Sequence, residues 1–131
     1  MIRKHAKAVK LRLQQAQAMA EAVFEGNVTD RPELYASFFL RMTRISTRYT
    51  GKHASYAGTV TIHSVGQTVE QAQYVQERVQ QQLVDHALIV EGRSCKPLEH
   101  VHSGYPELDR DVDPPLYVAA DQFDFVSEPA A

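Results

Sequence analysis

The sequence predicts an α+β fold: an antiparallel sheet of about four to five strands with two helices packed on one of its faces. Three observations lead there. Apolar residues recur every third or fourth position at the start of the chain and again near its middle, the spacing of an amphipathic helix. Two other stretches alternate apolar and polar residues, the spacing of a half-buried strand. Gly, Pro and Asn punctuate short apolar runs between them. A chain of 131 residues fits one domain, so 1–131 is read as a single unit.

The elements come in order along the chain. Ile2, Ala6, Val9, Leu13, Ala16 and Ala20 form one stripe, with good helix formers between them, and predict a helix over about 2–20. A short strand ending near Phe24 is closed by Gly26-Asn27. Leu34 to Met42 reads as a mostly buried strand, and 43–53 as a basic loop without a period. Between Tyr56 and Val65, Val60 and Ile62 take one face while Thr59, Thr61 and His63 take the other. Thr68, with Gln71 three residues on, is a capping box opening a second helix over about 68–86. Leu88 to Arg93 predicts a strand with Gly92 at its turn, and Pro97 to His102 a short strand paired with the C-terminal part of the chain. Residues 103–115 carry one Gly, three Pro and four acids and read as a loop. Leu116 to Val126 is the long last strand, and 128–131 a tail.

Several function classes are disfavoured. The apolar stretches, such as Leu34–Leu40, fall well short of the roughly 20 residues that span a bilayer, so no membrane partner is expected. No continuous apolar block comes after the basic N-terminus, and no signal peptide is expected. With Cys95 as its one cysteine, the chain forms no internal disulfide and no multi-thiolate zinc site. Phosphate-loop, nucleophile and paired-carboxylate motifs are lacking, so no catalytic residue, no cofactor and no metal are assigned. Asp109, Asp111 and Asp113 have the spacing that opens a calcium loop. The sixth place of such a loop needs Gly and the twelfth a bidentate Glu; here they hold Pro114 and Ala120. His100 and His102, two apart, would share one face of an extended strand, but a His-x-His pair alone is a weak metal signal.

Charge is the informative property. Net charge is -2, yet residues 1–52 hold ten Lys/Arg against four Asp/Glu, and residues 53–131 hold four against twelve. Such polarity suits a subunit whose basic side meets the acidic side of the next copy. Arg41, Arg44, Arg48 and Lys52 mark the basic surface; Asp109, Arg110, Asp111 and Asp113 mark the acidic one. Basic side chains also bind phosphates without sequence preference, although a pI near 6.3 does not fit a dedicated DNA binder.

The runs Gly58-Thr-Val-Thr-Ile-His-Ser-Val-Gly66, Thr68-Val-Glu-Gln-Ala-Gln-Tyr-Val-Gln-Glu-Arg-Val79, Leu88-Ile-Val-Glu-Gly-Arg-Ser-Cys-Lys-Pro97 and Asp109-Arg-Asp-Val-Asp-Pro-Pro-Leu-Tyr-Val-Ala-Ala-Asp121 occur in order. In sequence and spacing they resemble the tail terminators of long-tailed phages that infect actinobacteria, from about residue 20 to 127 but not over 41–56. The resemblance implies a hexameric ring on the last ring of the major tail tube protein. That ring stops polymerisation and presents a surface to the head-completion (stopper) protein, while genomic DNA passes through its lumen. It places the protein in the neck of the virion tail, and in the host cytoplasm during assembly. The alternatives are another head–tail joining protein, a mainly helical adaptor or a small-barrel stopper, and less so a small metal-binding module or enzyme.

Overall fold

The computed structural model describes residues 1–28, 32–45 and 54–130. Two helices, α1 (Ile2–Gln14) and α2 (Val69–Leu83), accompany seven strands: β1 (Val23–Glu25), β2 (Tyr35–Arg44), β3 (Tyr56–Gly66), β4 (Arg93–Cys95), β5 (Glu99–Ser103), β6 (Glu107–Asp109) and β7 (Leu116–Pro129). The class is α+β. The strands run in the order β1-β2-β3-β7-β4, and β5 and β6 pair with β7 further along it. All pairs are antiparallel except β1 with β2, which is parallel. The sheet is therefore mixed and larger than the predicted four or five strands, because three three-residue strands lie beneath the length that alternation reveals.

Alternation along β3 and β7 splits the sheet into two faces. Val60, Ile62, Phe123 and Phe125 point to the helices and join Val9, Leu13, Val75, Val79 and Leu83 in the main core. Burying each such side chain contributes about 2–3 kcal/mol. Two glycines let layers approach. A Cβ at Gly58 would stand 2.3 Å from the Phe125 ring, so that ring lies across the strand backbone. A Cβ at Gly66 would meet the Gln71 side chain at 2.5 Å and the Ala72 amide nitrogen at 2.7 Å, so the start of α2 rests on the end of β3.

Helix α1 ends at Gln14, not near residue 20. Beyond it, turns close from Ala16 to Leu13, Met19 to Ala16 and Ala22 to Met19. Leu13, Ala16 and Met19 stay buried, so a repeat of three continues the apolar stripe through turns where a helix was expected. Ala18 takes a positive φ of 65°, a conformation that interrupts a helix. Helix α2 is capped at Thr68 as expected: the Thr68 hydroxyl accepts from the Gln71 amide at 3.1 Å. The Gln71 side chain reciprocates one residue early, accepting from the Gln67 amide at 2.8 Å. The helix stops at Leu83 because Val84 turns extended and Asp85 takes φ 60°.

Three further expectations need correction. Leu88 to Val90 forms no ladder; Leu88 and Val90 are buried while Ile89 is 89% exposed, so the strand-like alternation is of an extended segment lying on the core. The strand begins only at Arg93, after the Gly92 turn. Segment 103–115 contains β6, and β7 continues through Glu128 and Pro129 to pair with β4. Strand β2 runs on to Arg44, so 43–44 are strand; residues 46–53 of the predicted loop lie outside the described residues.

Candidate assembly surfaces

The face of the sheet away from the helices is uncovered over most of its width. Cross-strand rows on it include Phe39, Thr61 and Gln122, and Arg41, Thr59 and Asp124. These side chains are partly or fully exposed. The Thr59 hydroxyl donates to Asp124 Oδ1 at 3.0 Å, and the His63 ring lies 5.0 Å from that of Phe39. Burial holds the His63 pKa below its ordinary value. At one end Tyr35, Val65 and Leu116 form a second small core, closed by Phe24, Val28, Val112 and Val118. Elsewhere the face is a polar, small-residue surface of the kind that a solvated or partner-facing sheet carries.

The two charged surfaces expected from sequence stand at opposite ends of this sheet. Arg41 and Arg44 are exposed at the end of β2, opposite Thr59 and Tyr56, which in turn pair with Asp124 and Ser127 of β7. Asp109 ends β6 opposite Leu116, at the other end of β7. Arg110, Asp111 and Asp113 come next in an exposed bend, where the Asp111 amide donates to Asp109 Oδ1 at 3.0 Å. Eight residues of β7 separate Leu116 from Asp124, about 26 Å at a strand's rise. One copy therefore does not bring its own basic and acidic clusters together. Arg48 and Lys52 lie outside the described residues.

The histidine pair dissolves. A register shift between His100 and His102 puts His100 opposite Phe123 and His102 opposite Gln122, hence on opposite faces. His100 stacks on Phe123, centroids 4.6 Å apart, and its Nε2 donates to the fully buried Asp121 at 2.8 Å. Gln80 also donates to Asp121 Oδ1, at 3.1 Å. This is a polar tie between α2, β5 and β7. Among the described residues no group of three or more His, Cys, Asp and Glu is assembled for a metal.

A second tie joins the N-terminus to the sheet. His5 is fully buried; its Nδ1 bonds the Met1 carbonyl at 2.9 Å and its Nε2 the Ser127 hydroxyl at 2.8 Å. The carbonyl only accepts, so Nδ1 carries the proton and Nε2 accepts from Ser127. Arg93 Nε donates to the same hydroxyl oxygen at 3.0 Å. Burial lowers the His5 pKa; the Met1 carbonyl opposes this, and the charges of Arg93 and the N-terminus reinforce it. Burial also pushes the Cys95 thiol up, opposed by Ser127 and Arg93, which disfavours the thiolate that a nucleophile needs.

Sequence reasoning overlooked the exposed apolar residues. Ile89 (89% exposed) and Leu11 (52%) line one groove with Lys4, Lys7 and Ala8. Tyr105 (71%) and Leu108 (39%) line another with His102, Glu107 and Asp109. Leu11 falls outside the apolar stripe of α1, a signal present in sequence; Tyr105 is obscured by the turn residues around it. No helix among the described residues is long and apolar enough to cross a membrane.

Neither a protein-family model nor a curated protein matches the sequence. Solved structures do match the fold. A chain from the virion of a native gene transfer agent particle is similar with a TM-score of 0.67 and 15% identity, over 92% of this chain and 92% of that one. A second solved chain, whose name states no function, is similar with a TM-score of 0.58 and 15% identity, over 98% of this chain and 91% of the other. At that identity the likeness is one of fold, nearly complete in both chains.

Proposed function

We propose that this protein is a virion structural protein that makes no chemical change in a substrate. More specifically, it is a tail terminator: a ring of six copies that caps the head-proximal end of a phage tail tube and stops the major tail tube protein from polymerising. Its other side receives the head-completion (stopper) protein. The observation that carries this reading is the fold shared over 92% of both chains with a component of a gene transfer agent virion. The ordered sequence resemblance over 58–121 points the same way, as does the placement of opposite charges at opposite ends of the sheet.

In this reading Arg41 and Arg44, with Arg48 and Lys52, face the lumen or the axially neighbouring ring. Packaged DNA passes there and meets contacts to its phosphates that are independent of sequence. Asp109, Arg110, Asp111 and Asp113 meet a neighbouring copy. Two helices on a seven-stranded sheet favour a terminator over a mainly helical adaptor or a small-barrel stopper.

Tube growth tests it. Adding the purified protein to polymerising major tail tube protein is expected to arrest elongation and leave a cap at one tube end. Unaltered tube lengths, with binding instead to a head-side adaptor, would assign the chain to another joining role.

A further inference from the structure

We propose that the ring closes through two different apolar surfaces of the chain, the Leu11–Ile89 surface of one copy receiving the Tyr105–Leu108 surface of the next. This rests on the reading that the protein forms a cyclic oligomer, and names the contact that would build it.

The first surface is held rigidly. Leu88 and Val90 are buried anchors, 4% and 7% exposed, and the extended backbone between them forces Ile89 outward to 89% exposure. Leu11 projects beside it from the outer side of α1, and Lys4 and Lys7 line the same groove. Glu91 is the one acid there. The second surface is built on the β5–β6 connection. Tyr105 and Leu108 border a groove floored by Val118 and Ala120 of β7, with Glu107 and Asp109 on its rim. Asp111 lies two residues beyond.

Each surface thus has an apolar centre and a charged rim, and the two rims are of opposite sign. An apolar centre inside a polar rim is how interfaces are built, and opposed rim charges steer the encounter and reject wrong pairings. Pairing either surface with its own copy would oppose like charges. The two also lie far apart. Strand β6 pairs with residues 116–118 of β7, whereas β4, just after Ile89 in the chain, pairs with residues 127–129. Nine residues of strand separate them, about 30 Å. A single chain cannot satisfy both surfaces, and two distinct surfaces make a heterologous contact, the kind that closes rings.

Both central residues are exposed, so Ile89→Glu and Tyr105→Glu leave the fold intact, which circular dichroism verifies. Sedimentation of each variant alone is expected to show association weakened about thirty-fold or more, the effect of losing an interface anchor. Mixed in equal amounts, the two variants are expected to form a one-to-one dimer and nothing larger, because one good surface remains on each. A mixture that stays monomeric, or either variant assembling as the unaltered protein does, would overturn this contact while leaving the ring itself standing. Unaltered protein that is monomeric both in solution and in the presence of tail tubes would overturn the contact and the ring together.

Discussion

His100 Nε2 donates to Asp121 Oδ1 at 2.8 Å, in the layer between α2 and the sheet, where the Asp121 side chain has no solvent exposure. The carboxylate also accepts from Gln80, so its charge is held by two side chains from two different elements. Asp121→Ala strands both donors and is expected to cost about 3 kcal/mol, as for breaking a buried polar pair. Urea unfolding followed by circular dichroism measures it. A loss below about 0.5 kcal/mol, the range of an uninvolved surface change, would contradict a structural role for this tie.

Acid should loosen the fold through histidine. Burial lowers the pKa of both His5 and His63 below the ordinary 6.5 of the unfolded chain. Between the folded and unfolded values the unfolded chain binds more protons, so stability is full above about pH 6.5 and falls as pH drops through that value. The urea midpoint is expected to fall between pH 7.5 and 5.5, and to fall less in the double variant His5→Gln, His63→Gln. Equal falls in both proteins would rule out these two groups as the source.

Gly66 is expected to tolerate no side chain. An added methyl would approach the Ala72 amide nitrogen to 2.7 Å, and backbone at a capped helix start cannot move aside as a flexible side chain can. Gly66→Ala should cost about 2 kcal/mol or more. At Gly26, where nothing lies within 4 Å but φ is +73°, Gly26→Ala should cost about 1 kcal/mol, the strain of the left-handed conformation alone. Thermal melts of the two variants give the order; the reverse order would contradict the close seating of α2 on β3.

Charge placement makes a prediction about assembly. Asp111→Lys with Asp113→Lys is expected to weaken oligomer formation by about ten-fold or more at low salt, through lost complementarity. Glu70→Lys with Glu77→Lys, on exposed positions of α2, makes the same change in net charge and should leave assembly within about two-fold. Sedimentation at two salt concentrations compares them, and equal tolerance of both pairs would count against the acidic segment as a contact.

Much of this architecture is legible in the sequence, for reasons that individual residues make plain. Strand β3 and helix α2 announce themselves because one face of each is buried and the other wet. Val60 and Ile62 alternate with Thr59 and Thr61, and Thr68 caps the helix that Ala72, Val75 and Val79 bury. Where periodicity misleads, a tertiary cause is visible. Leu13, Ala16 and Met19 keep a helix-like spacing through a series of turns, and Leu88 and Val90 alternate with Ile89 without joining a strand ladder. The bulge that parts His100 from His102 leaves no mark in composition. The charged surfaces are legible as composition, but their separation along β7 is not, since it depends on β4 and β6 pairing with opposite ends of one strand.

The central claim, that copies of this chain close a ring on a tail tube, is tested most directly by electron cryomicroscopy of tube ends formed in its presence. The account predicts a sixfold-symmetric cap at one end of each tube, one chain per symmetry-related position, with growth halted behind it. Bare tube ends, with the protein free and monomeric in the same sample, would contradict it.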